Sequence, residues 1–175
     1  MTTTNDIKPW LFRVEPMEGE SLSHFLGRVR QRNHISANAL GQMAGIGAII
    51  ARWERFHLIP FPSDADLTAL GEVVGVDGEK LRLMLPPQGE GMQFDPIRLC
   101  GACYGELPCH KIEWQFKSVW MCERHGLKLL SKCPKCGKKF KIPALWEFGE
   151  CAAEGTRCDR CRLSFVDMKD NQKSS

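Results

Sequence analysis

Between Cys100 and Cys161 the chain carries four pairs of metal-ligating side chains, each pair separated by two residues: Cys100 and Cys103, Cys122 and His125, Cys133 and Cys136, Cys158 and Cys161. A tetrahedral zinc ion takes four such ligands, at about 2.3 Å to sulfur and about 2.0 to 2.1 Å to nitrogen, and two tight pairs brought together by a hairpin supply them. The order predicts two structural zinc sites, one from the first two pairs and one from the last two. Sites filled by four protein ligands leave no position for water or substrate. The chain also lacks H-E-x-x-H, H-x-E beside P-C-x-x-C, and a phosphate-binding Gly-Lys-Ser loop, which argues against an enzyme. Cys109 and the adjacent His110 are alternative ligands for the first site, and Cys151 for the second. None of the three has a partner at the same spacing, so a buried or free side chain is the preferred reading of each.

Zinc explains why such a stretch folds, since segments with little apolar content make no core unaided. All 9 cysteines fall between residues 100 and 161, and an odd count suits metal ligation in a reducing compartment better than disulfides. The opening "MTTTNDIKPW" has neither a basic start nor an apolar signal core, and no apolar run approaches a membrane span, so a cytoplasmic protein without membrane contact is expected. Charge is unevenly spread. Residues 61–96 hold 2 basic and 7 acidic side chains, whereas residues 97–175 hold 15 basic and 9 acidic, which suggests separate faces for separate partners.

The N-terminal half reads as short helices. In "GESLSHFLGRVRQRN", Leu22, Phe25, Leu26 and Val29 form one apolar stripe, with Arg28, Arg30 and Arg32 off it. Ser36 is placed to cap a helix carrying Leu40, Met43 and Ala44 that stops at Gly45. Ile46, Ile49, Ile50 and Trp53 continue at helical spacing before Pro60 and Pro62 break the chain. Ser63 and Asp66 stand in a capping-box arrangement ahead of Leu67, Leu70 and Val74, and "DGEKLRLML" is a last helix ending at Pro86. This series resembles the helix-turn-helix of phage-repressor-like proteins, whose second helix enters the major groove. Here that helix opens with "GAII", Gly47 to Ile50, which offers no side chain to read a base edge. Arg52 and Arg55 are candidates for phosphate contact and His57 for stacking on a base, although each also reads as an ordinary surface residue. His24 and His34 read as structural.

In the cysteine half, "KIEWQFKSVWMC" alternates like a ribbon strand, with Ile112, Trp114 and Phe116 on one side. Trp120 falls out of step with Val119 and Met121, which makes it a candidate for stacking on a nucleotide or filling a partner's pocket, or else a cover for the second zinc module. Lys135, Lys138, Lys139 and Lys141 surround one cysteine turn and suit phosphate contact or simple solvation. The expected fold class is therefore a mostly α N-terminal helix-turn-helix domain followed by tandem zinc-ribbon modules with short β structure. The expected segments are an arm over 1–19, the helical domain over 20–87, a linker over 88–97, zinc modules over 98–130 and 131–165, and a tail over 166–175.

"PMEGESLSHFLGRV" opening a helix, the helical run after it, and then "LCGAC" with "WMCERHGLKLLSKCPKCG" together resemble the TniQ family of transposition proteins across roughly residues 10–165. The most specific part is the order Cys122, His125, Gly126, Leu129, Leu130, Cys133, Pro134, Cys136, Gly137. The brevity of the chain is similar to TniQ proteins of type V-K CRISPR-associated Tn7-like transposons. The resemblance implies a non-enzymatic adaptor in RNA-guided insertion that bridges a CRISPR effector, with its tracrRNA and guide RNA, to the AAA+ ATPase TnsC, with target DNA as a further partner. Guide pairing would then read sequence and relieve the adaptor of doing so. The alternative is a zinc-containing, sequence-specific DNA-binding regulator.

Overall fold

A computed structural model describes residues 11–142 and 156–174. Among the described residues the chain forms six α-helices: α1 (Leu22–Asn33), α2 (Ala37–Met43), α3 (Ile49–Trp53), α4 (Asp64–Val74), α5 (Gly78–Arg82) and α6 (Gly101–Glu106). Two 3-10 helices, Ile112–Gln115 and Asp167–Asn171, and one antiparallel hairpin, β1 (Met121–Cys122) with β2 (Leu127–Lys128), complete the regular structure. None of these helices is long and apolar enough to cross a membrane.

Side-chain caps start the helices where the sequence places them. Ser21, Ser36 and Ser63 accept hydrogen bonds from the backbone of His24, Ala39 and Asp66 in turn, and the Asp66 carboxylate accepts one from the Ser63 amide. The predicted stripe is the inner face of α1, with Leu22, Phe25, Leu26 and Val29 all buried against α2, α3, α4 and α5 side chains such as Leu40, Ile50, Leu67 and Leu81. The turn between α2 and α3 passes so close that a Cβ on Gly41 would stand 1.8 Å from the Gly47 carbonyl oxygen. Only glycine fits there. The helix after this turn begins at Ile49, later than its apolar spacing suggests, because Gly45 and Gly47 both take positive φ and hold the intervening backbone out of a helix. The last helix of this half likewise stops at Arg82, short of Pro86.

The arginines off the stripe are engaged. Arg28 donates to the buried Glu20 carboxylate through Nε at 2.8 Å and Nη2 at 3.0 Å, and Arg30 donates through Nε to Glu54 at 2.6 Å. Burial alone would raise the Glu20 carboxyl, but His24, Arg28 and the Met17 amide outweigh it and hold the group below its ordinary range.

A second apolar cluster surrounds the cysteines. Its spine is a chain of rings: Phe56 to His110 at 5.5 Å, His110 to Trp114 at 5.5 Å, Trp114 to Tyr104 at 5.9 Å, Tyr104 to Phe165 at 5.1 Å, and Phe165 to Phe140 at 5.5 Å. Trp114 and Ile112 take part from a 3-10 helix, which corrects the expected ribbon strand. Gln115, which alternation would turn to solvent, is instead buried beside Trp114, and the Gly19 carbonyl receives the Ile112 amide at 3.0 Å and fixes the turn. Residues 88–97 are tied in by Gln93 N to Gln115 O at 2.7 Å. The C-terminal residues are tied as well, since Gln172 accepts from the Gly101 amide at 2.7 Å and donates to the Lys128 carbonyl at 2.8 Å.

His110 joins the two halves. It is fully buried, its Nδ1 lies 2.9 Å from Ser21 Oγ, and its carbonyl accepts the Ser21 amide at 2.9 Å. Burial pushes its pKa down from 6.5 to about 3. A depressed folded value means that stability is complete above the unfolded pKa and is lost as pH falls through the window between 6.5 and about 3. His110→Asn is expected to flatten that acid limb, which in the parent falls by up to about 1.4 kcal/mol per pH unit. Denaturant unfolding of both proteins at several pH values measures the difference, because every other titrating group is common to the two.

Candidate metal centres

The first ligand set is built by α6 and the β-hairpin. Cys100 stands just before α6 and Cys103 lies within it, while Cys122 ends β1 and His125 sits in the tight turn before Gly126, which takes φ 61°. The His125 Nδ1 stands 3.3 Å from Cys103 Sγ, 3.5 Å from Cys122 Sγ and 3.7 Å from Cys100 Sγ, and Cys103 and Cys122 Sγ are 3.5 Å apart. The second set comes from two facing turns. Cys133 Sγ lies 3.5 Å from Cys161 Sγ, and Cys136 Sγ lies 3.6 Å from Cys158 Sγ. In each set the four ligand atoms fall within 4.8 Å of one another.

These spacings can be tested against a metal. Thiolates about 2.3 Å from a central zinc define a tetrahedron with S–S edges of about 3.8 Å, and a sulfur–nitrogen edge is about 3.6 Å. The observed edges match to within a few tenths of an ångström. They are far too long for a disulfide, whose sulfurs stand about 2.05 Å apart.

The electrostatics of the thiols is compatible with a bound cation. In the first set Cys100 is drawn down to about 5 by hydrogen bonding from Cys103 and by the Cys103 and Ala102 amides, while Cys103 is raised by Cys100, its neighbour, and Cys122 by burial. In the second, burial pushes Cys133 up to about 12, and the Leu163 amide draws Cys161 down to about 7. In the first set an ionised Cys100 disfavours ionisation of Cys103, and a cation at the centre would offset that repulsion. Both sets are compatible with zinc.

Cys109 and His110 stand outside both sets. Burial pushes the Cys109 thiol up to about 12, and His110 is held by Ser21 and the ring chain. Cys151 lies outside the described residues.

The other sequence candidates are dispersed. Arg52, Arg55 and His57 are exposed at and beyond the end of α3. Trp120 is 56% exposed, with the Lys128 ammonium 5.9 Å from its ring centroid. It points outward because the chain before it is clamped by a buried arginine, Arg98, which donates to the Val119 carbonyl at 2.5 Å and the Phe116 carbonyl at 2.6 Å. Lys135, Lys139 and Lys141 are exposed around the second set, whereas Lys138 pairs with Asp159. Lys132, Arg157, Arg160 and Arg162 are exposed there too and were missed in the sequence. Their signal was available, since Lys132 and "RCDRCR" flank the ligands directly.

Glu106 was missed as well. Its Oε1 lies 3.0 Å from His125 Nε2 and its Oε2 accepts from Arg124 Nε at 2.8 Å. The signal was the spacing Cys100, Cys103, Glu106, which sets all three along one side of α6.

The TniQ family model matches residues 11–129. The chain belongs to the TniQ family. TniQ domains occur in Tn7-like transposition proteins, which act together with other transposition proteins. The match spans the helical half and the whole first ligand set and ends before Cys133. No curated protein matches the chain.

Two measurements follow from this geometry. The purified TniQ protein is expected to hold two zinc equivalents by elemental analysis, with Cys103→Ser and Cys133→Ser each losing one. Arg98→Met leaves two carbonyls unpaired and should cost about 2 to 4 kcal/mol of unfolding free energy, whereas Trp120→Ala should cost less than about 1 kcal/mol, both read by chemical denaturation.

Proposed function

We propose that this TniQ protein is a non-catalytic adaptor of Tn7-like transposition that joins a target-recognition complex to an AAA+ regulator of the TnsC type. The observation that carries the reading is the family match over residues 11–129. In this reading Cys100, Cys103, Cys122 and His125 hold one zinc ion and Cys133, Cys136, Cys158 and Cys161 hold another. When bound, zinc supplies a cross-link and charge compensation, with no position left for a substrate. The described elements contain only short helices and one small hairpin, so cross-links of this kind stiffen a platform of limited core.

The recognition side is proposed to be a CRISPR effector with its tracrRNA and guide RNA. Support comes from the cations exposed around the second set, Lys132, Lys135, Lys139, Lys141, Arg157, Arg160 and Arg162, among which Asp159 is already paired with Lys138. Lysines and arginines on one module suit a phosphate backbone, and the exposed Trp120 suits stacking on an unpaired base. Arg52, Arg55 and His57 form a further exposed group on the helical half that suits phosphate or base contact. Guide pairing reads the target sequence, so shape and backbone contacts are sufficient for the adaptor.

The test is assembly. Purified protein is mixed with its cognate TnsC-type ATPase, ATP and duplex DNA, and the filaments are examined by negative-stain microscopy and sedimentation. Association with the filaments, weakened when Cys133 and Cys136 are both replaced by Ser, is the expected result. No association, together with tight binding to one duplex sequence, would replace the adaptor with a sequence-specific DNA-binding regulator.

A further inference from the structure

We infer that Glu106 is a positioning residue for the first metal centre, holding His125 in the tautomer and orientation that present Nδ1 to the ion. The inference rests on the zinc reading above. Its observation is a linear chain of contacts: Arg124 Nε donates to Glu106 Oε2 at 2.8 Å, His125 Nε2 donates to Glu106 Oε1 at 3.0 Å, and His125 Nδ1 faces three thiols at 3.3 to 3.7 Å. An imidazole has one donor and one acceptor nitrogen when neutral, so a carboxylate that accepts a hydrogen bond from Nε2–H leaves the lone pair at Nδ1. The ring then cannot turn over without losing both interactions. A carboxylate behind a ligating imidazole also makes it a stronger donor to the metal.

Local structure agrees that Glu106 serves the histidine and not its own helix. It occupies the last residue of α6, where the backbone dipole disfavours a carboxylate. Its place follows from the knuckle itself, for Cys100, Cys103 and Glu106 recur every three residues on one short helix, so the element that supplies two thiolates also supplies the support for the fourth ligand. Arg124, next to His125, then holds the second carboxylate oxygen and limits the rotation of Glu106. The second set has four thiolates and no imidazole to orient. The inference therefore predicts an effect confined to one of two ions.

The experiment is zinc release from the full chain into excess chelator, followed by a colorimetric zinc indicator, on the parent, Glu106→Ala and Glu106→Gln. Cobalt substitution assigns the phases, since a site with three sulfurs and one nitrogen differs in its absorption bands from one with four sulfurs. Glu106→Ala is expected to speed loss from the first site by about 10- to 100-fold and leave the second unchanged. Glu106→Gln keeps an acceptor oxygen without the charge and should fall between. Release of both ions at parental rates, or equal acceleration of both, would overturn the positioning role. A parent protein that binds no stoichiometric zinc would instead sink the zinc reading, so the two failures are distinguishable.

Discussion

Three residues just ahead of the first helix settle how the halves of this molecule meet. The Gly19 carbonyl accepts the Ile112 amide, the Ser21 amide donates to the His110 carbonyl, and between them Glu20 faces Lys111 in a bridge. Ser21 also caps α1 with the same hydroxyl that lies 2.9 Å from His110 Nδ1. The start of the helical core and the turn that leads into the aromatic chain are thus specified by one short ladder. Such a ladder buries polar groups, and it holds only because every member has a partner: Glu20 is met by Met17, His24 and Arg28, and His110 by Ser21 and Gln115.

From that seam the ring chain runs through Trp114 and Tyr104 to Phe165 and Phe140, within the same apolar cluster as the ligand cysteines. Tyr104 follows Cys103 on α6, and Phe165 lies four residues after Cys161. Apolar packing therefore places the backbones, and the ligand atoms need only close the last few ångströms. This division explains a small fold with two metal-ready sets. Rings set the distance between modules, and each set fixes its own turn geometry.

Much of the helical half was legible because its signals are local. A serine followed by an amide three residues on makes a cap, a stripe at helical spacing makes a buried face, and Ser63 with Asp66 closes on itself. The ligand pairs were legible for the same reason, each being a self-contained turn. What escaped the sequence were contacts between distant residues. Nothing near His110 announces that Ser21, 89 residues earlier, will lie against it. The strand expected at Ile112–Phe116 failed because alternation reports only which residues are apolar, and the polar Gln115 is buried through distant bonds to Arg98 and Gln93. The outward turn of Trp120 was legible, but its cause was not, since Arg98 acts across 21 residues on the Val119 carbonyl.

The two ligand sets also sit in different surroundings. The matched residues, 11–129, contain the helical core, the seam and the first ligand set. The second set begins at Cys133, after the match ends, and its surroundings are exposed cations on short turns. A lysine or arginine on such a turn can be exchanged at little cost to folding, because solvated charges seldom contribute more than about 1 kcal/mol. The ligands beside them cannot. The rim of the second set therefore tolerates exchange, whereas the seam at Ser21 and His110 is buried and hydrogen-bonded and tolerates little.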